Sequence, residues 1–170
     1  MADENGNVLT DIAPRSVKRV HLVGVGGTGM GAFAGMLKAA GYHVTGSDEN
    51  VYPPMSDMLR AWGIDVFTPY AAQNLDRARP DLVIIGNVIR RVNPEAAAVR
   101  ERGLAQTSFP VAFGSLILVD KHSVVIVGTH GKTTTSALMA HVLASAGEDP
   151  TFLVGGVTLN DNANFRLGNG

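Results

Sequence analysis

Residues 128–135, Gly-Thr-His-Gly-Lys-Thr-Thr-Thr, are of the types that hold a phosphate. Gly128 and Gly131 allow the tight backbone path that brings N–H groups close to an anion. The N–H groups at the start of a following helix point at the same place, and the helix dipole favours negative charge there. Lys132 adds a point charge, and the Thr133 hydroxyl can ligate Mg²⁺. His130 lies inside the loop, near where a terminal phosphate would sit, or is a loop histidine with no role. The chemistry is phosphate positioning and charge neutralisation, with Lys132 as the key cation. The general phosphate-loop pattern has a glycine five residues before Gly131. That position is Ile126, so the loop is the shorter G-T-x-G-K-T type. Val124-Val125-Ile126-Val127, four β-branched residues, predicts a strand buried on both faces that delivers the chain to the loop.

A second glycine loop lies earlier. Gly24-Val25-Gly26-Gly27-Thr28-Gly29 matches G-x-G-x-x-G and follows a predicted strand, Val20–Val25. Met30, Phe33, Ala34 and Leu37 recur at i, i+3, i+4 and i+7, an apolar helical stripe. Gly41 suits its C-terminal cap, and Tyr42–Thr45 reads as a second strand. Ser47-Asp48 ends this unit, with the acid 19 residues after Gly29. A complete strand–helix–strand unit with a trailing acid is the dinucleotide-binding fingerprint. Its N–H groups would hold a pyrophosphate, and Asp48 would accept hydrogen bonds from a ribose. NAD and a UDP-sugar carry both groups. The alternative is that the glycines serve packing alone.

The rest of the chain must position these loops. Helices are expected over Met55–Trp62, from Asn93 as N-cap with Pro94 at N1 to Arg102, and over Pro110–Val119. Strands are expected at Ile64–Phe67, Asp81–Ile85 and Ala105–Ser108, and residues 69–80 read as a connector with a helical turn. Strand and helix therefore alternate over 18–119, which predicts an α/β fold, a Rossmann-like doubly wound parallel sheet of five or six strands. After it comes the phosphate-loop strand from Lys121. A helix ending at Gly147 carries Leu138–Val142 and Met139–Leu143 as i, i+4 pairs. A strand follows at Thr151–Val154, and residues 155–170 read as loop. The division is a flexible tail (1–17), a first domain (18–120) and the start of a second, truncated phosphate-loop domain (121–170).

Asn87, at the end of the Asp81–Ile85 strand, lies where open α/β sheets bind ligands, and is a candidate beside the reading as a turn asparagine. Arg90 and Arg91 follow it, and could meet a phosphate or simply be solvated. Composition narrows the class. The 170 residues are 45% hydrophobic with a net charge of −1, which gives no sign of nucleic-acid binding. There is no cysteine, so thiolate metal sites and disulfides are excluded. None of the five histidines pairs with another histidine or an acid at metal-binding helix spacing. No apolar run is long enough to span a membrane, and no secretory signal is apparent, so no membrane partner and a cytoplasmic location are expected.

The pairing of the first glycine loop with G-T-H-G-K-T-T-T resembles the Mur ligases, ATP-dependent amide-forming enzymes of bacterial cell-wall synthesis. Val44 to Ser56, containing Gly46-Ser47-Asp48 and Tyr52-Pro53-Pro54-Met55, resembles the branch that joins UDP-N-acetylmuramate to the murein tripeptide L-alanyl-γ-D-glutamyl-meso-diaminopimelate. So do Pro80 to Asn87, Asn93-Pro94 and Phe152 to Val157. The likeness covers about residues 18–170. It implies that Gly24, Val25, Gly26, Gly27, Thr28 and Gly29 hold the UDP diphosphate, with Ser47, Asp48 and Asn87 around the nucleotide. It implies ATP at Gly128, Thr129, His130, Gly131, Lys132, Thr133 and Thr134, with Lys132 on the β- and γ-phosphates and Thr133 on Mg²⁺. The implied reaction activates the muramoyl carboxylate as an acyl phosphate, which the tripeptide amine then attacks. The family's further Mg²⁺-binding glutamate and its amino-substrate domain are not in these residues, so an inactive N-terminal fragment is expected. The alternatives are the L-alanine-adding branch, a stand-alone nucleotide or UDP-sugar binder, and an NAD-type redox sensor.

Overall fold

The computed structural model describes residues 16–158 and 163–170; the expected tail lies almost wholly outside them. The chain divides into two compact units, Met1–Val119 and Asp120–Gly170.

In the first unit strand and helix alternate: β1 Arg19–Val23, α1 Thr28–Ala39, β2 His43–Ser47, α2 Met55–Ala61, β3 Asp65–Phe67, α3 Ala72–Ala78, β4 Leu82–Ile85, α4 Pro94–Glu101, β5 Gln106–Ser108 and α5 Phe109–Leu116. All pairings are parallel, in the order β3-β2-β1-β4-β5. Right-handed crossovers place α1 and α2 on one face and α3 and α4 on the other. The central strands are buried on both faces, which is why β1 and β4 are near-continuous apolar runs. On one face Val23, Val83 and Ile85 pack with Leu75, Ala96 and Val99 of α3 and α4. Phe33 of α1 meets Phe109 and Phe113 of α5 edge-to-face, at 5.1 and 5.6 Å between centroids. The fold is the doubly wound sheet that the alternation predicts. One detail differs. The expected connector at 69–80 contains α3, closed by Arg79 in the left-handed region (φ 46°).

The close helix–helix approach in this unit falls on Gly31. A Cβ built there would overlap the sulfur of Met55, which is buried at the start of α2. Gly31→Ala must displace that side chain, and is expected to cost about 1–3 kcal/mol of unfolding free energy. Urea denaturation of the variant beside wild type reads this directly.

The second unit contains α6 Lys132–Ser145 and an antiparallel pair, β6 Phe152–Thr158 with β7 Ala163–Arg166. Two expectations fail here. Residues 155–170 are not all loop, because β6 extends to Thr158 and β7 pairs with it. Val124–Val127 is not a buried strand. No strand forms there, and Val124, Val125 and Val127 are 57%, 76% and 83% exposed. A buried strand needs a ladder partner and two covered faces. Among the described residues β6 and β7 pair only with each other, so this segment has neither. Leu138, Met139 and Val142 of α6 are exposed for the same reason. The expected strand–helix–strand piece is therefore a segment without regular structure, a helix and an antiparallel strand pair.

Candidate functional site

The strand order reverses beside β1, with β2 on one side and β4 on the other, and the crevice outside the carboxyl ends of such strands is where open sheets bind ligands. The first glycine loop leaves β1 there. Gly24 takes a positive φ of 91°, and Gly24 N–H and Val25 N–H both donate to the Ser47 carbonyl, at 2.8 and 3.1 Å. Gly26 N–H donates to Asp48 Oδ2 at 2.7 Å. A Cβ on Gly26 would stand 2.9 Å from that same oxygen, so only glycine permits the contact. α1 then starts from Gly27 with no side-chain cap and no acid in its first turn, and Thr28 and Gly29 are exposed. Its first N–H groups are left for an anion.

The remaining candidates fall unevenly. Asp48 spends both oxygens on backbone: Oδ2 on Gly26 and Oδ1 on Glu49 N–H at 2.8 Å. Tyr70 lies beside it. Ser47 is fully buried, and its hydroxyl turns inward to Glu95. Asn87 is exposed in the turn after β4, where Ile89 packs against the Gly24 position. Arg90 and Arg91 are exposed, and the Arg91 carbonyl accepts from Arg100.

Beneath the loop lies a polar cluster that sequence reasoning missed. The Glu95 side chain is fully buried at the start of α4 and accepts four hydrogen bonds. His21 Nε2 (2.6 Å) and Ser47 Oγ (2.8 Å) donate to Oε1. Asn74 Nδ2 (2.8 Å) and Ala71 N–H (3.1 Å) donate to Oε2. The other nitrogen of His21 meets Thr45 Oγ1 at 2.8 Å. Burial alone would raise the Glu95 carboxyl; the hydrogen bonds from His21, Asn74 and Ser47 outweigh it and hold the group below the usual carboxylate range. Burial pushes the Tyr70 phenol up, and the adjacent Asp48 charge and hydrogen bond push it further. An acidic residue at a helix start commonly serves the helix dipole, so nothing local in Asn93-Pro94-Glu95 marked Glu95 as the centre of a network.

The second glycine loop lies in the other unit. Gly128, Thr129, His130, Gly131, Lys132, Thr133 and Thr134 are all exposed. Gly131 precedes α6 in the left-handed region, with φ 78°. Lys132 Nζ curls back to the Gly128 and Thr129 carbonyls at 2.7 and 3.1 Å, which holds the loop round the ammonium. No side chain caps α6 and no acid lies in its first turn. β6 crosses the start of the helix so closely that a Cβ on Gly155 would stand 3.2 Å from Thr133 Oγ1. Among the described residues no three His, Cys, Asp or Glu side chains gather as a metal site. No helix among them is long and apolar enough to cross a membrane.

Residues 19–120 match the family model described as Mur ligase family, catalytic domain. The chain is 43% identical over 152 residues to the UDP-N-acetylmuramate–L-alanyl-γ-D-glutamyl-meso-2,6-diaminoheptandioate ligase of Haemophilus influenzae, covering 89% of this chain and 33% of that one. It is 41% identical over 154 residues to the UDP-N-acetylmuramate–L-alanine ligase of Paraburkholderia phytofirmans, covering 91% and 32%. The solved UDP-N-acetylmuramate:L-alanyl-γ-D-glutamyl-meso-diaminopimelate ligase from Neisseria meningitides superposes with a TM-score of 0.85 at 42% identity, over 88% of this chain and 46% of that one. The chain spans about a third of the length of the curated relatives it matches.

Proposed function

Because the chain belongs to the Mur ligase family, we propose that it is the nucleotide-sugar-binding part, with the start of the ATP-binding part, of a ligase acting on UDP-N-acetylmuramate. The amino substrate in this reading is the murein tripeptide, and the protein works in the cytoplasm. The observation that carries it is the first glycine loop, whose amides are set by Ser47 and Asp48 and whose helix start is uncapped. Two phosphates of a nucleotide diphosphate suit those free N–H groups. The similarity to ligases acting on this substrate supports a UDP-sugar over NAD.

In this reading the uncapped N–H groups where Gly27, Thr28 and Gly29 open α1 bind the diphosphate, Gly24, Val25 and Gly26 shape the loop beneath it, and Asp48 fixes that loop through Gly26 at the nucleotide's edge. Asn87 closes the other side of the crevice. ATP, when bound, supplies the phosphoryl group that activates a carboxylate. The α6 start fits its phosphates, with free first-turn N–H groups, no acid and Lys132 at hand. Thr133 would contribute one oxygen toward a Mg²⁺ ion that neutralises the ATP phosphates.

The first loop also gives a clean ligand test. Gly29 has no atom within 4 Å of where a Cβ would stand, so the fold does not need a glycine there. Gly29→Ala is expected to leave stability unchanged or raise it by about 0.5 kcal/mol through helix propensity. It should still weaken UDP-N-acetylmuramate binding, because the methyl stands where the phosphates approach. Calorimetric titration beside thermal denaturation reads both.

Tripeptide and L-alanine are separated by phosphate release from the full-length ligase with each acceptor. Release that depends on tripeptide supports this reading; release that depends on L-alanine alone moves the chain to the L-alanine-adding branch.

A further inference from the structure

We propose that Glu95 is the positioning residue of the first glycine loop: one buried carboxylate that fixes both the strand end on which the loop hangs and the backbone on either side of Tyr70, next to the loop's acid. The inference rests on the reading of that loop as the UDP-sugar site. On one oxygen Glu95 takes the Ser47 hydroxyl at 2.8 Å. The carbonyl of this same Ser47 accepts Gly24 N–H and Val25 N–H, so the start of the loop is carried by a residue that Glu95 holds. On its other oxygen Glu95 takes Ala71 N–H at 3.1 Å and Asn74 Nδ2 at 2.8 Å. Asn74 also holds the Pro69 carbonyl at 3.0 Å. Both neighbours of Tyr70 in the chain are thus tied to this network, and Tyr70 lies beside Asp48, which in turn holds Gly26. The two arms of the carboxylate meet again at the loop, one through the Ser47 carbonyl and one through the Pro69–Ala71 backbone that sets Tyr70 beside Asp48.

The chemistry demands a carboxylate. All four partners of Glu95 are donors, two on each oxygen, and an ionised carboxylate is the acceptor-only group of that length. An amide of the same shape must turn its NH₂ toward one pair of donors, whichever way it flips. His21 supports the arrangement from below. Its ring is fully buried, donates to Oε1 at 2.6 Å, and stacks 5.9 Å from Phe67 at the end of β3. Glu95 is fully buried and does not touch the crevice, so its influence reaches a ligand only through these residues.

The test is Glu95→Gln in the 170-residue chain, titrated with UDP-N-acetylmuramate at a temperature where both proteins are fully folded by circular dichroism. Binding is expected to weaken about tenfold or more, the factor corresponding to roughly 1.4 kcal/mol. Asn74→Ala, which removes one donor on the Tyr70 arm, should weaken it by a smaller factor and serves if the glutamine variant does not fold. The nuclear magnetic resonance signals of the Gly24 and Gly26 amides should shift in both variants without ligand. A folded Glu95→Gln protein with affinity within twofold of wild type and unmoved glycine signals would overturn the positioning role. Lower stability with unchanged affinity would do so too, since that is what a purely structural residue gives. Failure of the wild-type chain to bind the UDP-sugar, with the glycine signals still moved by the substitutions, would instead count against the ligand assignment.

Discussion

Lys132→Ala in the full-length ligase is expected to lower turnover by about a thousandfold or more, the scale seen when a phosphate-neutralising cation is lost. The ammonium lies at the start of α6, against the carbonyls of Gly128 and Thr129. It therefore has two tasks, holding the loop closed and meeting phosphate charge, and alanine performs neither. Lys132→Arg keeps the charge but replaces a compact ammonium with a planar fork, and should also be strongly impaired. UDP-N-acetylmuramate affinity should stay within twofold, because the first glycine loop belongs to a different unit. Steady-state kinetics with ATP, UDP-N-acetylmuramate and tripeptide measure this. A variant retaining more than about a tenth of wild-type turnover, a barrier change under roughly 1.4 kcal/mol, would make Lys132 a structural residue of the loop.

His21→Leu is expected to cost the first unit about 3 kcal/mol, since removing one partner of a buried pair leaves the other charge under-compensated. Leucine fills much of the ring's volume, so the loss reports the missing donor to Glu95 rather than a cavity. The pH dependence gives it a signature. Glu95 titrates below the ordinary carboxylate range in the folded chain. Its ionised form therefore contributes stability that is fully present above the unfolded carboxylate value and is lost as pH falls through the lower folded value. The gap between wild type and His21→Leu should be widest near neutral pH and shrink in acid, where a protonated Glu95 no longer needs the imidazole. Urea unfolding from neutral to acid pH checks it; a gap that does not change with pH would contradict the pairing.

The first unit was legible because its signals are local. Apolar runs bounded by glycines specify buried parallel strands, and the periodicity of Met30, Phe33, Ala34 and Leu37 specifies the helix between them. What escaped was non-local. His21 and Glu95 are 74 residues apart and meet only because β1 and α4 pack face to face. Gly29 fitted the glycine pattern, yet the close helix–helix approach falls on Gly31, which depends on where Met55 arrives from a different element. Ser47 and Asp48 were placed near the nucleotide at the end of β2, but the Ser47 hydroxyl points down into the polar cluster. In the second unit the Val124–Val127 pattern states a demand for burial that its described neighbours do not meet. Composition encodes what a segment needs, and the tertiary partners decide whether it gets it.

The direct test of the first loop as a UDP-sugar site is calorimetric titration of the 170-residue chain with UDP-N-acetylmuramate, with NAD as the control ligand. Saturable one-site binding of the UDP-sugar is expected, weakened by Gly29→Ala and by Glu95→Gln, with no heat from NAD. Tight NAD binding with no response to UDP-N-acetylmuramate would contradict it.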